Sequence, residues 1–198
     1  MIVLDVEASG TNPDQHSILS IGALDLSNPS NQFYDECRVW DGAKIEVEAS
    51  AINGFSEEDA RDATKKSEAE LIAAFFAWAE SVEGDHTLAA QNVSFDHAFL
   101  TSAAKRAGIA FPFAKRTLDV HTLVWLHMTL KGHIPPTERG HSSISMTYAL
   151  SYCGLPEEEK PHNGLTGALC HAEVISRIAY TKKLLPEYLE YDIPWLMK

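Results

Sequence analysis

The sequence predicts an α/β protein built on a mixed five-stranded sheet. Three observations carry this. The chain opens on an apolar, β-prone run that turns acidic, MIVLDVE. Two more β-type segments follow closely, at 17–26 and 32–39. From residue 56 onward, helical stretches alternate with short strands at 87–90 and 117–120. Strands first, then strands alternating with helices, is the order of a mixed sheet covered by helices.

Each element has its own signal. The first strand ends near Glu7, where Ser9-Gly10-Thr11-Asn12-Pro13-Asp14 supplies turn chemistry. SILSIGALDL and QFYDECRV read as two strands of a meander. Residues 56–83 read as helical, with Leu71, Ile72, Phe75, Phe76, Trp78 and Ala79 forming a buried stripe. Ser94 to Arg106 reads as a helix, with Gly108 just past its end. After the fifth strand, helix continues to about Leu130. Residues 131–142 form a loop, because paired prolines cannot continue a helix. Further helices are expected at 143–153 and 166–184, and a tail from 186 with two prolines and Trp195 packs across the surface. The reading is one domain over 1–198, with its motif-bearing core at about 2–180.

Composition narrows the function classes. The chain has 198 residues, 45% hydrophobic and 22% charged, enough to bury a core without staples. No apolar run approaches the ~20 residues that span a bilayer. The acidic start does not resemble a signal peptide, so no membrane association is expected. Cys37, Cys153 and Cys170 are odd in number and lack a CxxC pair, which argues against a disulfide framework and a zinc cage. A reducing, cytoplasmic setting is the expectation. The net charge of −12 disfavours charge-driven binding to long duplexes. Cations held by carboxylates supply positive charge locally, so a short or single-stranded nucleic acid remains compatible.

Three segments carry candidate chemistry. Asp5 and Glu7 lie two apart on a strand and project to one face. Carboxylates held together repel unless a cation lies between them, and hard oxygen donors suit Mg²⁺ or Mn²⁺. Alone, this common pair reads rather as a solvated strand edge or a helix-capping acid. Asn92-Val93-Ser94-Phe95-Asp96 follows a strand and opens a helix, where an acid in the first turn is favourable in any case. His162 lies in a loop entering a helix, free to take a proton near neutral pH, or simply a surface histidine. His121, His127, His133 and His141 have no regular spacing and read as scattered surface groups. Asp119, between strand and helix, reads as structural.

Together these segments resemble the DEDDh 3′–5′ exonuclease superfamily, which has a ribonuclease-H-like fold. DVEASGTNP resembles the first family motif, QNVSFDHAFL the second and PHNGLTGAL the third. SILSIGALDL and AINGFSEEDA resemble further family segments, in the right order over about Ile2 to Ile178. The resemblance implies hydrolysis of phosphodiester bonds at the 3′ end of single-stranded DNA, RNA or short oligonucleotides, releasing nucleoside 5′-monophosphates. It implies two Mg²⁺ or Mn²⁺ ions. Asp5 would bridge both, Glu7 would hold the ion carrying the attacking water, and Asp96 would support the second. His162 would be the general base. Ala8 and Ser9 would lie against the terminal sugar, Asn92 would support the scissile region, and Asn53 and Phe55 would meet the terminal base. Phe55 reads equally as a core aromatic. Many relatives pair, so a homodimer is among the options.

The pattern breaks at Gly167, where the family has the Asp that completes its ligand set. One of the two ions should therefore be weak. Three explanations stand. His171, one helical turn on, could serve as a ligand and shift preference toward Mn²⁺ or Zn²⁺, although a partly buried helix histidine is the plainer reading. Cys170 is a lesser candidate. The protein could instead be a catalytically impaired nucleic-acid-binding module, or the glycine could be an engineered or accidental change. Glycine within a helix costs ~1 kcal/mol against alanine, so the position is unusual.

Overall fold

A computed structural model of the chain describes residues 1–158 and 160–196. Strands β1 (Ile2–Ala8), β2 (Ile18–Asp25) and β3 (Asn28–Glu36) form an antiparallel meander. β4 (Leu88–Ala90) and β5 (Thr117–Asp119) add in parallel on the other side of β1, giving the order β3-β2-β1-β4-β5. This is the mixed five-stranded sheet that the sequence predicts, and it is ribonuclease-H-like.

β1 is central and buried on both faces. Ile2, Leu4, Val6 and Ala8 point to one side, against helices α3 (Glu68–Ser81) and α4 (Val93–Ala107). Val3 points to the other, against α5 (Val120–Leu130), α6 (Met146–Tyr152) and α7 (Gly164–Ile175). Phe75 and Phe99 are fully buried in the first cluster, each worth up to ~3 kcal/mol of apolar burial. The alternation places Asp5 and Glu7 on the Val3 face, toward α7.

Several boundaries differ from the sequence expectation. The helix expected over 56–83 is two, α2 (Glu57–Arg61) and α3. Each has its own capping box, Ser56 with Asp59 and Ser67 with Glu70. Between them Asp62 accepts from Thr64 N–H and hydroxyl, and Arg38 N–H donates to Lys66 carbonyl. The intervening chain is thus drawn onto the edge beyond β3. A further helix, α1 (Val47–Asn53), lies in a stretch with no apolar stripe and ends at Gly54 with φ 76°. The 131–142 loop contains a short hairpin of β6 (Thr137–Glu138) and β7 (His141–Ser142). The last helix ends earlier than 184: α7 passes into a π-helical turn over Ser176–Tyr180, and Thr181 is left-handed.

The tail is held from inside. Arg177 and Glu173, both 0% exposed, pair at 2.7 Å. Arg177 also donates to the carbonyls of Cys153, Tyr188, Tyr191 and Asp192, and Glu173 accepts from Leu184 and Leu185 N–H. One buried ion pair therefore anchors α6, α7 and the tail. Trp195 packs on His127 and Tyr152. No helix of the described residues is long and apolar enough to cross a membrane, and the three cysteines are free and buried.

Candidate active site

The site forms at the end of β1, where its neighbour β4 stops short. β1 pairs with β4 only at Ile2 and Val3. Further along, Val6 N–H has Asp96 Oδ1 as its acceptor at 3.0 Å. Asp96 lies in the first turn of α4, whose N-cap Asn92 adopts left-handed φ 54°, ψ 45°. That turn swings α4 back over β1 and brings Asp96, 2% exposed, to the strand that carries Asp5 and Glu7.

The three acids sense one another. Burial, with the charge of Glu158 adding, raises Asp5 to about 7. Burial, then Asp5 and Glu158, raises Glu7 to about 8. Burial and Asp5 hold Asp96 well above the usual carboxylate range. Among the described residues no lysine or arginine pairs with any of the three. The donor chemistry, unpaired carboxylates at a strand end, fits hard divalent cations. Among the same residues no three His, Cys, Asp or Glu side chains already converge closely enough to hold an ion.

His162 and Gly167 flank this group. His162 is partly exposed, its N–H donates to Ile52 carbonyl, and its Nδ1 lies 3.9 Å from Glu158 Oε2. Gly167 faces Asp5: a Cβ there would overlap Asp5 Oδ2 and stand 2.8 Å from its Cγ. The place of a side chain at 167 is therefore filled by Asp5 itself. α7 reaches this depth because Gly164 meets Gly22, with a Cβ on Gly164 only 2.8 Å from Gly22 N. His171 is buried, with Nδ1 2.9 Å from Leu4 carbonyl. The carbonyl can only accept, so Nδ1 carries the proton and Nε2 the lone pair. Burial lowers its pKa.

The expected substrate residues are placed unevenly. Ala8 lines a cleft of about 220 Å³ beside Glu7, walled by Val6, Ala49, Ile52, Asn53 and Phe95. Ser9 requires a correction. It is 0% exposed, and its hydroxyl donates to Lys44 carbonyl and accepts from Ser17 N–H, so its side chain fixes the turn and does not face the cleft. Asn53 donates to Ala8 carbonyl and accepts from Phe55 N–H, tying α1 to the end of β1. Phe55 packs beside Leu19, Val39 and Ala60 while lining a second cleft of about 340 Å³ with Tyr34, Lys65, His162 and Asn163. Lys65 Nζ lies 4.8 Å from its ring centroid. Asn92 is exposed, its Oδ1 accepting from the Ser94 hydroxyl at 3.1 Å, and it lines neither cleft.

Glu158 is the residue that sequence reasoning passed over. Its Oε1 lies 2.9 Å from the Thr166 hydroxyl. Its only sequence signal is an acidic run four residues ahead of His162, which reads as a solvated loop.

Comparisons with known proteins identify the family and the fold. The model of the RNase T exonuclease family matches residues 2–175. Ribonuclease T of Klebsiella pneumoniae is 30% identical over 120 residues, which cover 54% of this chain and 55% of that protein. The chain thus matches little more than half of that relative's length. The nuclease domain of 3′hExo, described as a DEDDh family member bound to rAMP, superposes with a TM-score of 0.71 at 15% identity, covering 93% of each chain. Escherichia coli exonuclease I, in complex with an oligonucleotide, superposes with a TM-score of 0.71 at 16% identity, covering 91% of this chain and 40% of that one. By its family match over residues 2–175, the chain belongs to the RNase T family of exonucleases.

Proposed function

We propose that this protein is a divalent-metal-dependent 3′–5′ exonuclease that removes nucleoside 5′-monophosphates from single-stranded DNA or RNA. The observation that carries the proposal is that α4 returns Asp96 to the strand of Asp5 and Glu7, three largely buried acids beside a cleft that have, among the described residues, no lysine or arginine partner. Asp5, Glu7 and Asp96 would hold the cations, Mg²⁺ or Mn²⁺. Bound there, such ions stabilise both the entering and the leaving oxygen of a phosphodiester hydrolysis.

The chain's own residues do the rest. His162, at the rim, accepts the proton of the attacking water. The cleft beside Glu7 takes the terminal nucleotide. Among its walls, Ala49, Ile52 and Phe95 offer apolar contact to a base. Asn53 holds the end of β1 at the correct height through Ala8. With a net charge of −12, attraction for the phosphates comes from the cations more than from the surface. The oligonucleotide on exonuclease I and the rAMP on 3′hExo support the substrate class.

The test is release of mononucleotides from a labelled single strand with Mg²⁺ or Mn²⁺. Activity that is lost in Asp5→Asn and Asp96→Asn supports the proposal. A second reading, an impaired binding module, is favoured by one observation, the glycine at 167. It predicts strand binding without hydrolysis under either metal.

A further inference from the structure

We infer that Glu158 supplies, from the loop before α7, the fourth carboxylate that the family's pattern places at position 167. The inference rests on the exonuclease reading above and adds one residue to it.

Two facts make the exchange physical. First, a Cβ at Gly167 would overlap the Asp5 carboxylate as it stands, so an acid there would have to displace it. Second, an acid is present a short distance away. The loop after Leu155 turns back over the first turn of α7. Glu158 Oε1 is 2.9 Å from the hydroxyl of Thr166, the residue before Gly167, and Oε2 is 3.9 Å from Nδ1 of His162. The Glu158 side chain is 11% exposed. Its charge is felt by Asp5 and Glu7 on β1 and by His171 on α7. It thus lies against the residue before Gly167, which itself faces Asp5, and beside the proposed base.

The contacts of Glu158 are His162 and the Thr166 hydroxyl. Among the described residues no lysine or arginine pairs with it. The Thr166 hydroxyl has a single proton to donate and also lies 2.8 Å from Asn163 carbonyl, so it does not neutralise the carboxylate. A loop glutamate reaches further than a helical aspartate by one methylene. The longer arm allows α7 to press its glycines onto β1 and β2 while the charge returns from the side.

The experiment is Mn²⁺ binding followed by calorimetry on the full chain, without substrate, for the parent, Glu158→Gln, Glu158→Asp and Asp5→Asn. Melting in EDTA checks that each variant folds. The expected result is Mn²⁺ affinity lowered roughly tenfold or more in Glu158→Gln, less in Glu158→Asp, with melting in EDTA no lower than the parent's because a like charge is gone. If Glu158→Gln and Glu158→Asp both bind Mn²⁺ as the parent does while Asp5→Asn loses it, the inference is overturned and the exonuclease reading stands. If the parent itself binds no Mn²⁺, both are overturned.

Discussion

Gly167 and Asp5 share one volume: a Cβ at 167 would stand 2.8 Å from Asp5 Cγ and 3.1 Å from its Cβ. At this point of α7 the Asp5 carboxylate stands where a side chain would begin. Gly167→Ala should force Asp5 to turn. Glycine-to-alanine in a helix normally gains ~1 kcal/mol. Here we expect no gain in melting temperature, together with a loss of metal-dependent hydrolysis of about tenfold or more. Gly167→Asp should likewise fail to raise activity. A stabilised and fully active Gly167→Ala would show that Asp5 has no fixed place against α7.

Asp5 and Glu7 titrate high because burial and neighbouring acids disfavour their charged forms. In the unfolded chain the same groups ionise near 3.8 and 4.5. Between those values and the folded ones, about 7 and about 8, the native state holds protons that the unfolded state has released. Stability then falls as pH rises. The metal-free protein, kept in EDTA, should melt lower at pH 8.5 than at pH 5.5, and Asp5→Asn should flatten the slope. Parallel slopes for the parent and Asp5→Asn would contradict the burial argument.

The two acids of β1 and the acid of α4 were legible in the sequence because each sits at a fixed spacing within a local element. Their meeting was legible only through the order of motifs. The reason Asp96 arrives is non-local: β4 ends too early to satisfy Val6 N–H. α1 was invisible because VEASAIN buries little and shows no stripe. Glu158 was invisible because its role depends on where a loop folds, and an acid in a loop has no period to betray it. Gly167 was readable as an anomaly, but its cause, the depth to which α7 packs, is a property of the sheet beneath it.

The Glu173–Arg177 pair concentrates stability far from the chemistry. Both side chains are 0% exposed, and the guanidinium also serves four backbone carbonyls. Removing one partner leaves the other charged and buried, at a cost of ~3–5 kcal/mol. Urea unfolding of Arg177→Met should show that loss. Replacing both residues with apolar ones should recover part of it on the charge term, while the carbonyls of the tail stay unsatisfied. A loss near zero in Arg177→Met would mean the tail is not held through this network.

His162 and Asp5 should fail in different ways. Asp5 belongs to the carboxylate group, so Asp5→Asn should lose Mn²⁺ binding and hydrolysis together. His162 stands at the rim, partly exposed, with its backbone held by Ile52. Its proposed part is proton transfer, a contribution of typically ~10²–10⁴ in rate. His162→Ala should keep Mn²⁺ binding and strand binding while kcat falls by that order. Glu158 complicates the comparison usefully, because its carboxylate lies 3.9 Å from the ring and would be freed by the substitution. If Glu158 serves the cations, Mn²⁺ affinity in His162→Ala should not drop. A His162→Ala protein that hydrolyses at the parent's rate would remove the histidine from the mechanism, and a parallel loss of Mn²⁺ affinity would make it a ligand and not a base.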